Sequence, residues 1–113
     1  MYIYIYMLIN EDNISYINIT DSSDKVYGIA YVKKGFKAQL HFHREPEVYY
    51  FIYGSGKLAI EDQLYNIHSP YKLTIKSNEI HAMTPITDYV LLFYVFSKGP
   101  FDKINYNYLP SFL

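Results

Sequence analysis

His41 and His43, one residue apart, and Glu47, four residues further on, are the side chains whose types and spacing best suit chemistry. Two neutral imidazole nitrogens and one carboxylate make a ligand set for Fe, Mn, Ni, Cu or Zn. They match Ca or Mg poorly, because those ions prefer oxygen shells. An ion held this way polarises a carbonyl or enediol oxygen, lowers the pKa of bound water, or orients a substrate against dioxygen. The sequence has no cysteine, which excludes disulfides, thiolate nucleophiles and sulfur-ligated zinc. Any metal site must be built from nitrogen and oxygen.

For these groups to act together, the backbone must aim them at one point. In an extended strand over Lys37–His43, period-two geometry puts Gln39, His41 and His43 on one face and Ala38, Leu40 and Phe42 on the other. The two imidazoles then lie about 7 Å apart along the strand, and a slight curl brings their nitrogens together. Pro46 ends that strand because it has no N–H to donate, and Glu47 opens the next, with Tyr49, Phe51 and Tyr53 on its face. A hairpin between the two strands is expected to set Glu47 beside the histidine pair. The core is expected to use the opposite strand faces. Tyr49 becomes a candidate to hydrogen-bond a substrate through its hydroxyl, and Gln39 a candidate polar group behind His41. Glu45 is a rival carboxylate, but its place in the charged turn Arg44-Glu45 favours solvent. His68 is assigned no role.

The rest of the chain supports strands. Fifteen tyrosines and seven phenylalanines among 113 residues, with abundant isoleucine, favour a pleated, half-buried surface. Apolar runs recur at Tyr2–Ile9, Ile14–Thr20, Val26–Val32, Lys37–His43, Val48–Tyr53, Lys57–Ile60, Leu64–Ile67, Tyr71–Lys76, Ile80–Ile86 and Tyr89–Phe96. Turn-forming residues separate them, among them Lys34-Gly35, Gly54-Ser55-Gly56 and Ser69-Pro70. No stretch sustains helical periodicity over three turns. The sequence therefore predicts an all-β sandwich or barrel, one domain over residues 1–113. The tail from Ser97 to Leu113 reads as an added strand or a strap over a neighbour.

Ten Lys and Arg against eleven Asp and Glu, with a pI near 6.4, give no electrostatic footprint for nucleic acid. No apolar run approaches the roughly 20 residues that span a bilayer, so no membrane partner is expected. Met1–Ile9 lacks a basic flank and a small-residue cleavage site, which predicts a cytoplasmic protein. Met1–Ile9 and Tyr89–Phe96 are apolar on both faces. Such strands need covering on each side, which predicts a homodimer packed through the N-terminal strand or an outer sheet face.

The order Gly35, five residues, His41, one residue, His43, three residues, Glu47, six residues, Gly54 resembles the first motif of the cupin superfamily at each fixed position. The second cupin motif is similar to Pro70–Pro85, with its histidine falling on His81. That half departs from the pattern. Pro70 and Asn78 stand where the family has glycine, Lys76 where it has proline, and Pro85 where it has asparagine. Asn78 is the mildest change, since Asn tolerates the left-handed conformation that a tight turn requires. Fifteen residues separate Gly54 from Pro70, a spacing that resembles the compact microbial single-domain cupins.

The resemblance implies a jelly-roll, or double-stranded β-helix, barrel with a divalent metal (Fe, Mn, Ni or Zn) in its mouth, held by His41, His43, Glu47 and His81. Four protein ligands on an octahedral ion leave about two positions for water or substrate, as a catalytic rather than structural site requires. The fold hosts many activities. The expected function is a metal-dependent enzyme of isomerase or epimerase type acting on a small oxygenated molecule, a sugar or a keto or enediol compound. An iron-dependent dioxygenase and a non-catalytic small-ligand-binding module are the alternatives.

Overall fold

The computed structural model describes residues 8–11 and 13–113. The aromatic and β-branched runs form eleven strands: β1 (Leu8–Glu11), β2 (Ile14–Asp21), β3 (Val26–Lys33), β4 (Gln39–Phe42), β5 (Glu47–Tyr53), β6 (Ser55–Ile60), β7 (Gln63–His68), β8 (Tyr71–Ile75), β9 (His81–Pro85), β10 (Tyr89–Phe96) and β11 (Asn107–Phe112). A short 3-10 turn at Phe101–Lys103 precedes the last. One sheet has the order β1-β2-β3-β10-β5-β8 and the other β11-β4-β9-β6-β7. All pairings are antiparallel, and the sheets pack as a jelly roll.

Each expected run from Ile14 onward becomes a strand, with its ends displaced by two residues at most. Of the expected Tyr2–Ile9 strand, Leu8 and Ile9 lie in β1, and the remainder falls outside the described residues. The tail is an added strand: β11 lies along β4, pairing Asn107 with Phe42 and Tyr108 with His41.

Alternation decides what lies between the sheets. On β10, Val90, Leu92, Tyr94 and Phe96 are buried, and their register partners on β3 include Val32, Ala30 and Val26. Burying a side chain such as Phe96 or Leu58 contributes about 2–3 kcal/mol each. The alternate residues Leu91, Phe93 and Val95, with Tyr27, Ile29 and Tyr31 of β3, lie on the outer face and are only partly covered by their neighbours.

The expected hairpin between the histidine strand and the glutamate strand does not form. β4 belongs to the five-stranded sheet and β5 to the six-stranded one. Pro46 cannot extend a ladder, so the link after His43 turns a corner of the roll and carries the chain between sheets. Glu47 therefore meets the histidines across the barrel rather than from a neighbouring strand. Gly54 makes the next corner, at a φ of +92°, where an added Cβ would lie 2.3 Å from the Tyr89 carbonyl oxygen.

Candidate metal centre

His41 and His81 are directly opposed residues of β4 and β9, with ring centroids 4.3 Å apart. His43 sits just past the end of β4, 4.9 Å from the His81 ring and 6.1 Å from that of His41. One ring nitrogen from each of the three histidines falls within 4.8 Å of the others. Glu47, the first residue of β5, points at them from the other sheet, its Oε1 lying 3.2 Å from His43 Nε2 and 3.7 Å from His81 Nε2. The four groups that the sequence nominated thus meet inside the barrel. The expectation that the core avoids this face is overturned: His43, Glu47 and His81 are 1%, 4% and 0% exposed and form part of the core themselves. The barrel is narrow enough that its interior is both site and core.

The hydrogen bonds assign a proton to each ring. His41 Nδ1 lies 2.9 Å from the Gln39 carbonyl, His43 Nδ1 2.7 Å from that of Glu45, and His81 Nδ1 2.8 Å from that of Glu79. A carbonyl oxygen only accepts, so each Nδ1 carries a hydrogen and each neutral ring presents its lone pair at Nε2. Carbonyl partners that fix ring orientation are the usual support of metal-bound histidines. His81 Nε2 is buried with no hydrogen-bond partner. Lone pairs on Nε2 facing a buried carboxylate repel unless a cation lies between them, so the donor set fits a divalent transition ion.

Electrostatics agrees with that geometry. Burial, reinforced by the neighbouring His81, lowers the His41 pKa to about 4, which keeps that ring neutral at pH 7. Burial works against protonation of His43 too, but the hydrogen bond and charge of Glu47 outweigh it and raise its pKa. Burial disfavours the ionised form of Glu47, yet its contacts with His43 and His81 prevail and hold its pKa below the ordinary value. The charge of Glu47 thus favours a proton on His43 more than on a free imidazole.

Of the two other sequence candidates, Tyr49 follows Glu47 on β5 with its ring 6.2 Å from that of His81. Burial pushes its phenol well above the usual value, and the charge of Glu47 adds to this. Gln39 contributes differently from each end. Its carbonyl orients His41, while its side-chain amide donates to the Leu109 carbonyl at 2.8 Å and ties β11 to β4. Glu45 supports His43 through its backbone carbonyl. His68 pairs with the Ser55 hydroxyl on exposed β7.

Sequence reasoning missed Tyr106 and Tyr108. The Tyr106 ring stacks on His41 at 5.4 Å and 22° and lies 5.1 Å from His43, while Tyr108 lies 5.6 Å from His41. Their signal was the alternation Asn105-Tyr106-Asn107-Tyr108, which puts both tyrosines on one face once the tail is a strand.

No protein-family model matches the chain. Among solved structures, an RmlC-like cupin from Shewanella frigidimarina superposes with a TM-score of 0.77 at 13% identity, over 85% of this chain and 86% of that one. The chain has the cupin fold. A variant of oxalate decarboxylase from Bacillus subtilis matches the chain with a TM-score of 0.81 and 21% identity, over 91% of the chain and 30% of the decarboxylase. In sequence, the chain is 29% identical over 97 residues to dimethylsulfoniopropionate lyase DddW of Ruegeria pomeroyi. That match takes in 84% of the chain, which spans 64% of the lyase's length. No helix among the described residues is long and apolar enough to cross a membrane.

Proposed function

We propose that residues 1–113 are a single cupin domain that binds one divalent transition metal through His41, His43, Glu47 and His81, and that the protein is a cytoplasmic enzyme acting on a small carboxylate or keto compound. The observation that carries this reading is the convergence of three rings whose Nδ1 hydrogens are all committed to carbonyls, with the Nε2 atoms of His43 and His81 beside the buried Glu47 carboxylate. The substrates named for the two enzyme relatives, dimethylsulfoniopropionate and oxalate, are small carboxylates, which supports the substrate class.

The metal, when bound, supplies Lewis acidity to a substrate oxygen. The chain does the rest. Gln39, Glu45 and Glu79 hold the three rings in one tautomer through their carbonyls. Glu47 keeps its charge and offsets that of the ion. Tyr49 keeps the proton of its hydroxyl beside Glu47 and would donate a hydrogen bond through it to a substrate oxygen. The aromatic core around the centre excludes bulk water.

Elemental analysis of the purified protein and of His41→Ala tests the centre: about one metal per chain is expected in the first and nearly none in the second. Equal stoichiometry in both would remove the assignment. Turnover of candidate carboxylates without dioxygen is expected; turnover that stops without dioxygen and consumes it stoichiometrically would replace this reading with an oxygenase.

The outer face of β3 and β10 is the surface on which we place a second copy. Its partly covered Tyr27, Ile29, Tyr31, Leu91 and Phe93 form a continuous apolar area. A dimer mass by light scattering at micromolar protein is the expected result, and a monomer mass would contradict it.

A further inference from the structure

We propose that residues 105–113 are a strap that opens and closes over the metal centre, hinged after Ile104 and latched by the Gln39 side chain. This inference rests on the metal reading above. The centre is closed: His43, Glu47 and His81 are 1%, 4% and 0% exposed. His41 is the least covered of the four, and its ring faces the tail, 5.4 Å from that of Tyr106 and 5.6 Å from that of Tyr108. The way from solvent to the ligands therefore runs along His41 and beneath β11.

The strap is the cover that yields most easily. Among the described residues β11 pairs with β4 alone, at the edge of its sheet, and all of its residues but Leu109 are exposed. Its ladder breaks between Tyr108 and Phe112, where Pro110 has no N–H to give. Across that gap the Gln39 amide supplies the tie, donating to the Leu109 carbonyl at 2.8 Å, and beyond it the Leu113 N–H donates to the Ala38 carbonyl at 2.8 Å. The chain before the strap is anchored: Ile104 is buried, and the Phe101 N–H donates to the Asp21 carboxylate at 2.7 Å. A short, exposed edge strand held by few hydrogen bonds opens at low free energy, whereas strands buried in the core open only with the fold. Gln39 also joins the strap to a ligand, since its own carbonyl accepts from His41 Nδ1. Opening thus uncovers the ligand whose orienting residue is also the latch.

The experiment times the loss of Co(II) from loaded protein to excess EDTA by its visible spectrum. Gln39→Ala is expected to release Co(II) about fivefold faster than wild type, the effect of one hydrogen bond on strap opening. The chain has no cysteine, so Phe42→Cys/Asn107→Cys, at directly opposed positions of β4 and β11, allows one disulfide to pin the strap. Its oxidised form is expected to release Co(II) about tenfold more slowly than the same variant reduced and alkylated. In metal-free protein, hydrogen exchange at the Leu113 amide is expected to be about fivefold faster in Gln39→Ala than in wild type, with the amides of β10 unchanged. Equal release from the bridged and alkylated forms would overturn the strap while leaving the metal centre intact, as would exchange that quickens equally in β10 and β11. Failure of wild type to take up Co(II) would remove the metal reading and this inference together.

Discussion

The two arms of the candidate centre reach it with very different sequences. The arm from Gly35 to Gly54 matches the cupin pattern at each fixed position and brings His41, His43 and Glu47. The arm from Pro70 to Pro85 keeps little of the pattern besides His81, yet it delivers that ring, fully buried, with the same hydrogen bond from Nδ1 to a carbonyl two residues away. Backbone contacts account for the equivalence. Asn78 takes the left-handed conformation at a φ of +62°, and its N–H donates to the His43 carbonyl at 2.8 Å. The Glu61 N–H donates to the Ile80 carbonyl at 2.7 Å, and Lys76 N–H is capped by the Glu79 carboxylate at 2.8 Å. Apart from the Glu79 cap, the second arm is therefore held by main-chain geometry that several sequences can satisfy. The first is held by side chains that chemistry demands.

The largest effect should come from removing a ligand on either arm. His81→Ala is expected to lower metal affinity at least 100-fold, and also to empty the space of a fully buried ring, at a cost of about 3 kcal/mol. His41→Ala should lose metal comparably but cost less stability, because His41 is only partly buried. Metal analysis with urea denaturation of the two variants checks this. A His41→Ala variant less stable than His81→Ala would mean that the arms are ranked wrongly.

Gly54 should be the most demanding non-ligand position of the first arm. Gly54→Ala places a Cβ against the Tyr89 carbonyl and requires a positive φ of a non-glycine residue, which is expected to cost about 2–4 kcal/mol. A shift of the denaturation midpoint corresponding to less than about 1 kcal/mol would show that this corner relaxes freely.

The pH dependence separates the imidazoles. In metal-free protein, folded His41 titrates at about 4 while its unfolded value is near 6.5. The unfolded chain thus takes up the proton first, and the contribution of His41 to stability is lost as pH falls from about 6.5 to about 4. His43 has the opposite sign: its raised folded pKa gives stability that is complete below the unfolded value and is lost as pH rises through the folded one. Denaturation of metal-free protein against pH should accordingly show a flatter acid limb in His41→Gln than in wild type. Parallel limbs would contradict the assignment of that loss to His41.

What could be read in advance divides along physical lines. The strands were legible because alternation and turn residues are local properties, and His41 and His43 because one short extended run suffices to aim them, whereas Glu47 was placed through a hairpin that does not form. The sheet that each strand joins was not legible. The β4–β5 connection looks like a hairpin from Pro46 and its flanking runs, and only the closure of the whole roll sends Glu47 to the opposite sheet. His81 stood on a motif resemblance alone, since its opposition to His41 is a contact between residues 40 positions apart. Tyr106 and Tyr108 were hidden by the uncertain role of the tail, although their spacing already set them on one face.

The smallest expected effect is the most informative about the second arm. If its fidelity resides in the backbone, restoring the family residue at Asn78 should change little, because glycine and asparagine both occupy the left-handed region without a large penalty. Asn78→Gly is expected to alter stability by less than about 0.5 kcal/mol and to leave metal content unchanged. Asn78→Ala, which keeps the N–H to His43 but pays for a positive φ, should cost about 1 kcal/mol. The pair of variants isolates conformation from side-chain chemistry, since neither removes the main-chain donor. If Asn78→Gly lost metal while remaining folded, the asparagine side chain itself would be supporting His43 or His81, and the equivalence of the two arms would rest on something other than the turn.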